Sequence, residues 1–250
     1  MIKKIIKKFI PKSVLKFKEK ILIKKIRNKF SKMNNKEIFE EIYLKKLWTP
    51  EFKKYENKFY SGVGSYFPEL VNEYLEKIEN FLLSLGYKPN VVDLGCGDFV
   101  LGSKIRKFCK NYIAIDIFDD LISYNKKKYE NLNIDFRVLD ITQDKLPKGD
   151  VCFVRQVFQH LSNESIMNTI SEIKKKYKYL IITEHLPKSK NFVANIDKPT
   201  GPDTRLYENS GVILTLPPFN LKVFKDTDIC EIYSDSIEGV LRTNILQLYK

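Results

Sequence analysis

The sequence is poor in the residues on which many chemistries depend. It holds two histidines and four cysteines in 250 residues. Cys96, Cys109, Cys152 and Cys230 form no C-x-x-C pair, so reduced, mostly buried thiols in a cytoplasmic protein are expected. No uncharged apolar run approaches the ~18 residues of a membrane-spanning helix. Lysines interrupt every apolar stretch near the N-terminus, which excludes a secretory signal. Acidic charge is nearly missing from residues 1–32, where Glu19 stands alone against thirteen Lys or Arg. That arm therefore carries +12 of the net +13, and residues 33–250 balance 31 basic against 30 acidic side chains. A nearly neutral body argues against a nucleic-acid cleft, which would need a basic stripe of its own.

What is present falls into three segments: a basic arm over 1–32, a helical extension and lid over 33–88, and an α/β domain over 89–250. In the arm, Ile2, Ile5, Ile6 and Phe9, then Val14, Phe17, Ile21, Leu22, Ile26 and Phe30, recur at helical spacing with lysines between them, and Pro11 is placed to open the second of two short helices. Such a helix can lie on an anionic membrane surface, at the inner face of the membrane; the alternatives are a solvated helix packed on its own domain, a partly disordered arm, or a nucleic-acid or protein partner. Helices are predicted over 36–48 and 69–85, with the loop Tyr60-Ser61-Gly62-Val63-Gly64-Ser65-Tyr66 between them.

From Asn90 the rhythm changes. Val91–Leu94, Tyr112–Ile117, Ile134–Leu139, Val151–Val154 and Leu180–Thr183 read as strands, separated by amphipathic segments over 98–109, 119–129 and 162–177. Strands alternating with helices imply a parallel sheet covered on both faces. Ile229–Tyr233 and Val240–Tyr249 are joined too tightly for a crossover and must form an antiparallel hairpin. The expected architecture is α/β: a seven-stranded, mostly parallel sheet with a C-terminal antiparallel hairpin, helices on both faces and an N-terminal helical extension.

The first strand runs into Asp93-Leu94-Gly95-Cys96-Gly97, a turn whose two glycines let backbone approach a ligand. Nineteen residues after Gly97, Asp116 ends the second strand and precedes Ile117. Asp140, followed by Ile141, ends the third. Three acids at successive strand ends share the carboxyl edge of the sheet, where open α/β folds bind ligands, and a carboxylate at the second strand tip suits ribose hydroxyls.

Together with Val154-Arg155-Gln156-Val157-Phe158-Gln159-His160-Leu161, these residues resemble the class I S-adenosylmethionine-dependent methyltransferases over roughly residues 60–250. Dinucleotide dehydrogenases differ by a third glycine where this chain has Val100. The resemblance implies S-adenosylmethionine as cofactor, with Gly95, Cys96 and Gly97 at its methionine part, Asp116 and Ile117 at the ribose, Asp140 and Ile141 at the adenine, and Arg155 and Gln156 at the sulfonium end. It also implies a lid over the cofactor, formed by Ser61 and Gly62 with their loop.

His160 and His185 lie just beyond the fourth and fifth strands, flanking the methyl donor, and either can accept a hydroxyl proton near neutrality. The alternative for each is an orienting or loop residue; His185 is favoured as the base because the following loop, Leu186 to Leu214, is long enough to be functional. Tyr60, Glu184, Asn195, Asp203 and Arg205 are the candidate acceptor ligands, Arg205 as a clamp for phosphate or carboxylate. Glu184, Asp197 and Asp203 make a poor metal signature, and no metal is expected. Arg155-Gln156-Val157-Phe158 stands where nucleic-acid amino-methyltransferases carry Asn/Asp-Pro-Pro-aromatic, so nucleic acid is an unlikely substrate. The 154–163 stretch and the Tyr-Ser-Gly-x-Gly-Ser loop are similar to bacterial enzymes that decorate surface polysaccharides. This implies O-methylation of a sugar or phosphorylated precursor of a capsular or lipopolysaccharide glycan. The alternatives are a small-molecule N- or O-methyltransferase and a non-catalytic membrane-surface module with the same fold.

Overall fold

The computed structural model describes residues 12–50 and 58–250, with side chains from residue 21 onward in the first stretch. The expectations for Ile2–Phe9 and for Pro11 lie outside the described residues. In chain order the helices are α1 (Lys12–Phe30), α2 (Asn35–Leu44), α3 (Pro68–Ser84), α4 (Val100–Ile105), α5 (Asp119–Lys128) and α6 (Asn163–Lys176). The strands are β1 (Val91–Leu94), β2 (Tyr112–Asp116), β3 (Asp135–Val138), β4 (Val151–Arg155), β5 (Tyr179–Leu186), β6 (Lys225–Ile232) and β7 (Val240–Gln247).

The helices begin where local chemistry satisfies their first amide groups. Asn34 caps α2 in a reciprocal capping box with Glu37, Pro68 opens α3, and the Ser162 hydroxyl accepts from Ser165 N–H at the start of α6. α2 stops at Leu44, short of the predicted end at Trp48, and this frees Trp48 to turn toward the body.

The sheet order is β3-β2-β1-β4-β5-β7-β6. Only β7 runs against its neighbours, pairing antiparallel with both β5 and β6. The order reverses between β1 and β4, which both pair parallel, and an open α/β sheet forms its ligand crevice at such a point. Alternation along each strand divides the core in two. Val91, Phe153, Ile181 and Ile245 face α3 and its Leu70, Tyr74 and Ile78. Val92, Cys152, Leu180 and Leu246 face Ile166, Ile170 and Ile173 of α6.

The proposed segment boundaries do not coincide with packing boundaries. On α1, Lys24, Lys25, Asn28 and Lys29 are exposed, whereas Ile26 and Phe30 turn inward and Phe30 is buried with Ile38 and Ile42. The spacing of 26 and 30 thus serves the chain's own core, and a cut after residue 32 would pass through that cluster. Ile21 and Leu22 alone keep exposed apolar surface on the described part of the arm. No helix among the described residues is long and apolar enough to cross a membrane.

Candidate active site

A cavity of about 270 Å³ opens outside the carboxyl ends of β1, β2 and β4. Its floor follows from strand alternation. Asp93 on β1, Arg155 at the end of β4 and His185 on β5 share the face that packs against α3, and all three line the cavity. Asp116 closes the rim at the tip of β2.

At the glycine turn, Gly95 and Gly97 have φ of +73° and +56°, a region that L side chains avoid. A Cβ on Gly95 would strike Val157, and one on Gly97 would strike Ser61. The two glycines therefore admit protein as well as ligand. Asp116 accepts N–H bonds from Gly97 at 3.0 Å, Ile117 at 2.8 Å and Phe118 at 3.3 Å. Burial raises its pKa to about 6 against the pull of those donors. Asp93, buried and accepting from Tyr112 OH at 3.0 Å, is raised to about 7 by the same desolvation. Asp140 accepts from Thr142 N–H at 2.9 Å and lies beside Ile141 on the cavity wall.

The lid loop is docked. Ser61 Oγ accepts from Asp98 N–H at 2.8 Å, and its own N–H donates to Asp98 Oδ2 at 3.3 Å. Tyr66 OH donates to the same carboxylate. Gly64 O accepts from Arg155 Nη2 at 2.7 Å, while Arg155 Nη1 donates to Gln156 Oε1 at 2.8 Å. Ser61 and Gly62 thus lie over the glycine turn, and Arg155 and Gln156 hold the far side of the loop.

Both histidines line the cavity, in different settings. His185 is half-buried, and neither ring nitrogen has a hydrogen-bond partner among the described residues. Burial, with the Arg155 charge second, lowers its pKa to about 4, so the ring is neutral at pH 7. His160 is buried with its ring 4.7 Å from that of Trp48 and Nε2 3.1 Å from Gln159 Nε2. Burial, then the nearby Lys198 charge, lowers it to about 3.

None of the five candidate acceptor ligands lines this cavity, contrary to what their place in the sequence suggested. Glu184 alternates with His185 on β5 and points to the opposite face, accepting N–H bonds from Phe158 and Gln159 at 2.9 Å each. Asn195 ties the β5–β6 connection together, donating to Ile213 O and Pro217 O at 2.9 Å each and accepting from Ile213 N–H at 2.8 Å. Asp203 pairs with Arg27 at 3.0 Å. Arg205 donates to Ile196 O and to Leu161 O. Tyr60 is buried with its ring 4.6 Å from that of Tyr66. The reason is common to most of them: a long connection folded onto the body buries backbone polar groups, and polar side chains are consumed in satisfying them. From that loop Pro202 and Thr204 reach the cavity instead.

Sequence reasoning missed Asn35, Phe39, Tyr43 and Trp48, which α2 and the turn after it contribute to the cavity roof. Their apolar spacing signals a helix face and says nothing of what that face covers. Asp98 was also missed, although its position next to Gly97 marked it as a residue of the turn.

Glycine turn, carboxylate rim and sheet order together define the class I, Rossmann-like methyltransferase fold. Residues 91–178 match the family model described as a methyltransferase domain. Solved structures agree on the fold. The N-methyltransferase NodS from Bradyrhizobium japonicum WM9, in complex with S-adenosyl-L-homocysteine, is 15% identical with a TM-score of 0.55, over 74% of this chain and 90% of that one. Magnesium protoporphyrin IX methyltransferase (ChlM) from Synechocystis PCC 6803, with bound S-adenosylmethionine, is 13% identical with a TM-score of 0.55, over 85% and 97%. The bifunctional kinase-methyltransferase WbdD is 18% identical with a TM-score of 0.50, over 74% of this chain and 40% of that one. A search of curated proteins returns no match. The chain carries a class I methyltransferase domain and is a methyltransferase enzyme with S-adenosylmethionine as cofactor. The residues fit that cofactor: a buried carboxylate at the β2 tip, bare backbone at the turn, and buried polar atoms without partners among the described residues (Arg155 Nε, Gln159 Oε1 and both His185 nitrogens) on side chains that line the cavity.

Proposed function

We propose that the enzyme transfers the methyl group to a hydroxyl of a sugar ring, in a precursor of a capsular or lipopolysaccharide glycan, with His185 accepting the proton. The observation that supports this most is the unpartnered, neutral His185 ring in a cavity whose outer part is walled by Trp48, His160, Gln156, Gln159 and Thr204. An aromatic face with neutral hydrogen-bonding groups around it suits a hydroxyl-rich ring.

The bound cofactor supplies a methyl group already activated by its sulfonium. This chain's residues then have two tasks, alignment of the acceptor oxygen and removal of its proton. Asp116, Asp140 and the glycine turn orient the donor; the docked Ser61–Ser65 loop and Trp48 exclude water. His185 can take the hydroxyl proton on either ring nitrogen, because no group among the described residues competes for them. Arg205, engaged with backbone carbonyls, leaves the phosphorylated-precursor version of the acceptor without its proposed clamp.

The test is transfer of labelled methyl from S-adenosylmethionine to a panel of methyl glycosides, nucleotide sugars, amines and phenols. Label in the sugars and their methyl ethers by mass spectrometry is expected; label confined to amines or phenols overturns the sugar reading and favours the small-molecule alternative. We further propose that the arm rests on the inner membrane face, on the strength of exposed Lys24, Lys25 and Lys29 beside exposed Ile21 and Leu22. Co-sedimentation with phosphatidylglycerol vesicles is expected, with none on phosphatidylcholine and loss of binding in Ile21→Glu/Leu22→Glu. Equal behaviour on both lipids would refute it.

A further inference from the structure

One chain of contacts joins the N-terminal helix to the outer wall of the cavity. Arg27, on α1, donates from Nε and Nη2 to Asp203 Oδ2 at 3.1 and 3.0 Å and from Nη1 to Glu208 at 2.7 Å. The other Asp203 oxygen faces the Lys198 ammonium at 3.7 Å. Lys198 is completely buried along its side chain and donates to His160 O at 3.3 Å. Gly201 N–H donates to that same carbonyl at 2.9 Å. The next residue, Pro202, accepts at its carbonyl from Trp48 Nε1 at 3.1 Å, and the Trp48 ring lies against the His160 ring. Trp48, His160 and Pro202 all face the cavity.

We infer that Arg27 and Asp203 are positioning residues for the acceptor wall: the pair fastens α1 to the 198–203 segment, and that segment holds Trp48 and His160 in register. The inference rests on the reading of this end of the cavity as the acceptor site. Three features favour positioning over general stabilisation. Asp203 is desolvated between two cations, so its geometry is tightly specified and loss of either partner leaves uncompensated buried charge. Arg27 and Asp203 lie 176 residues apart in sequence, and their pair joins α1 to the connection that carries Pro202. The cofactor end is held by bonds of its own among Asp116, Gly97, Ser61 and Asp98, and it meets the wall through Tyr43, which packs on Trp48 and contacts Ser61 Oγ at 3.2 Å. Displacement of the wall should therefore disturb the acceptor without releasing the cofactor.

Trp48 is the only tryptophan in the chain, so its fluorescence reports the wall directly and needs no knowledge of the acceptor. In full-length Arg27→Ala, acrylamide quenching of Trp48 is expected to rise, while the Kd for S-adenosylhomocysteine, measured by calorimetry, stays within about twofold of wild type. Arg27→Lys, which keeps the charge and loses the fork, is expected to fall between. Glu208→Gln removes only the more exposed arm of the clasp and is expected to shift quenching slightly in the same direction, which keeps the test open if Arg27→Ala does not fold. Once a sugar acceptor is found, its KM should rise about tenfold in Arg27→Ala with a smaller change in kcat. Unchanged Trp48 quenching in folded Arg27→Ala and Glu208→Gln overturns the clasp. A parallel loss of S-adenosylhomocysteine affinity overturns it as well, since the effect would then be general loosening. Failure of every sugar with the quenching shift intact refutes the acceptor reading alone.

Discussion

Asp116→Ala is expected to weaken S-adenosylmethionine binding by roughly 10²–10³-fold, the largest effect of any single change at the cofactor end. Hydrogen bonds to a charged acceptor contribute about 1.5–3 kcal/mol each, and a ribose diol would offer two, so about 3–6 kcal/mol is at stake, and the lower half of that range is that ratio of Kd values. The carboxylate also gathers the N–H groups of Gly97, Ile117 and Phe118, so its removal loosens the turn that the cofactor approaches. Asp116→Asn separates the two roles, because it keeps an acceptor oxygen and loses the charge. The pH dependence has a definite sign. Burial raises the Asp116 pKa to about 6, so the acceptor form prevails above that value and affinity should fall as pH drops through it. Calorimetry on wild type and both variants between pH 5 and 8 decides the matter; an affinity unaffected by the alanine substitution would remove Asp116 from the site.

His185→Ala is expected to lower kcat by about 10²–10⁴-fold, the range of general acid–base catalysis, with the cofactor Kd nearly unchanged. The folded ring is held neutral by burial and by Arg155, with its pKa lowered to about 4. A base of that kind is fully available at neutrality. With S-adenosylmethionine saturating, so that Asp116 does not limit binding, the kcat profile should therefore be flat near pH 7 and fall only as the medium becomes acid enough to charge the ring, with no inflection at the ordinary histidine value near 6.5. His160→Ala is the comparison, since that ring is packed on Trp48 and bonded to Gln159 and should affect acceptor KM more than kcat. The neighbour Glu184 supplies a second contrast. Glu184→Ala strands the buried N–H groups of Phe158 and Gln159 and should lower stability by about 2–4 kcal/mol in urea melts. If His185→Ala retains wild-type kcat on an authentic acceptor, proton removal belongs to another group.

The cofactor end was legible in the sequence because its signals are local. Gly95, Gly97, Asp116 and Asp140 sit at strand termini, and the alternation of strands with helices already places all such termini along one edge. The close approach of the 61–65 loop to the turn was legible for a similar reason, since two glycines and two serines between helices suit it. The acceptor end was not. Glu184 and His185 are adjacent in sequence, yet the pleat sends one to hold a turn and the other to the cavity, and the choice of face depends on which side α3 covers. Asn195, Asp203 and Arg205 carried the right chemistry for ligands, but they are spent on the backbone of a buried connection and on Arg27. The arm was half legible: its helical spacing holds over Lys12–Phe30, while the burial of Ile26 and Phe30 depends on the cluster with Ile38 and Ile42.

The amino-acid order by itself determined the strand–helix alternation, the antiparallel ending and the row of carboxylates at a glycine turn, because each follows from side-chain periodicity and backbone freedom within a few residues. Only the tertiary structure decided which polar side chains face the cavity and which are buried as struts, and that the roof comes from Trp48 and its neighbours. Those outcomes depend on contacts between segments that are not neighbours in sequence, from 18 residues for Asn195 and Ile213 to 176 for Arg27 and Asp203, where desolvation drives buried polar groups to partners wherever the fold provides them.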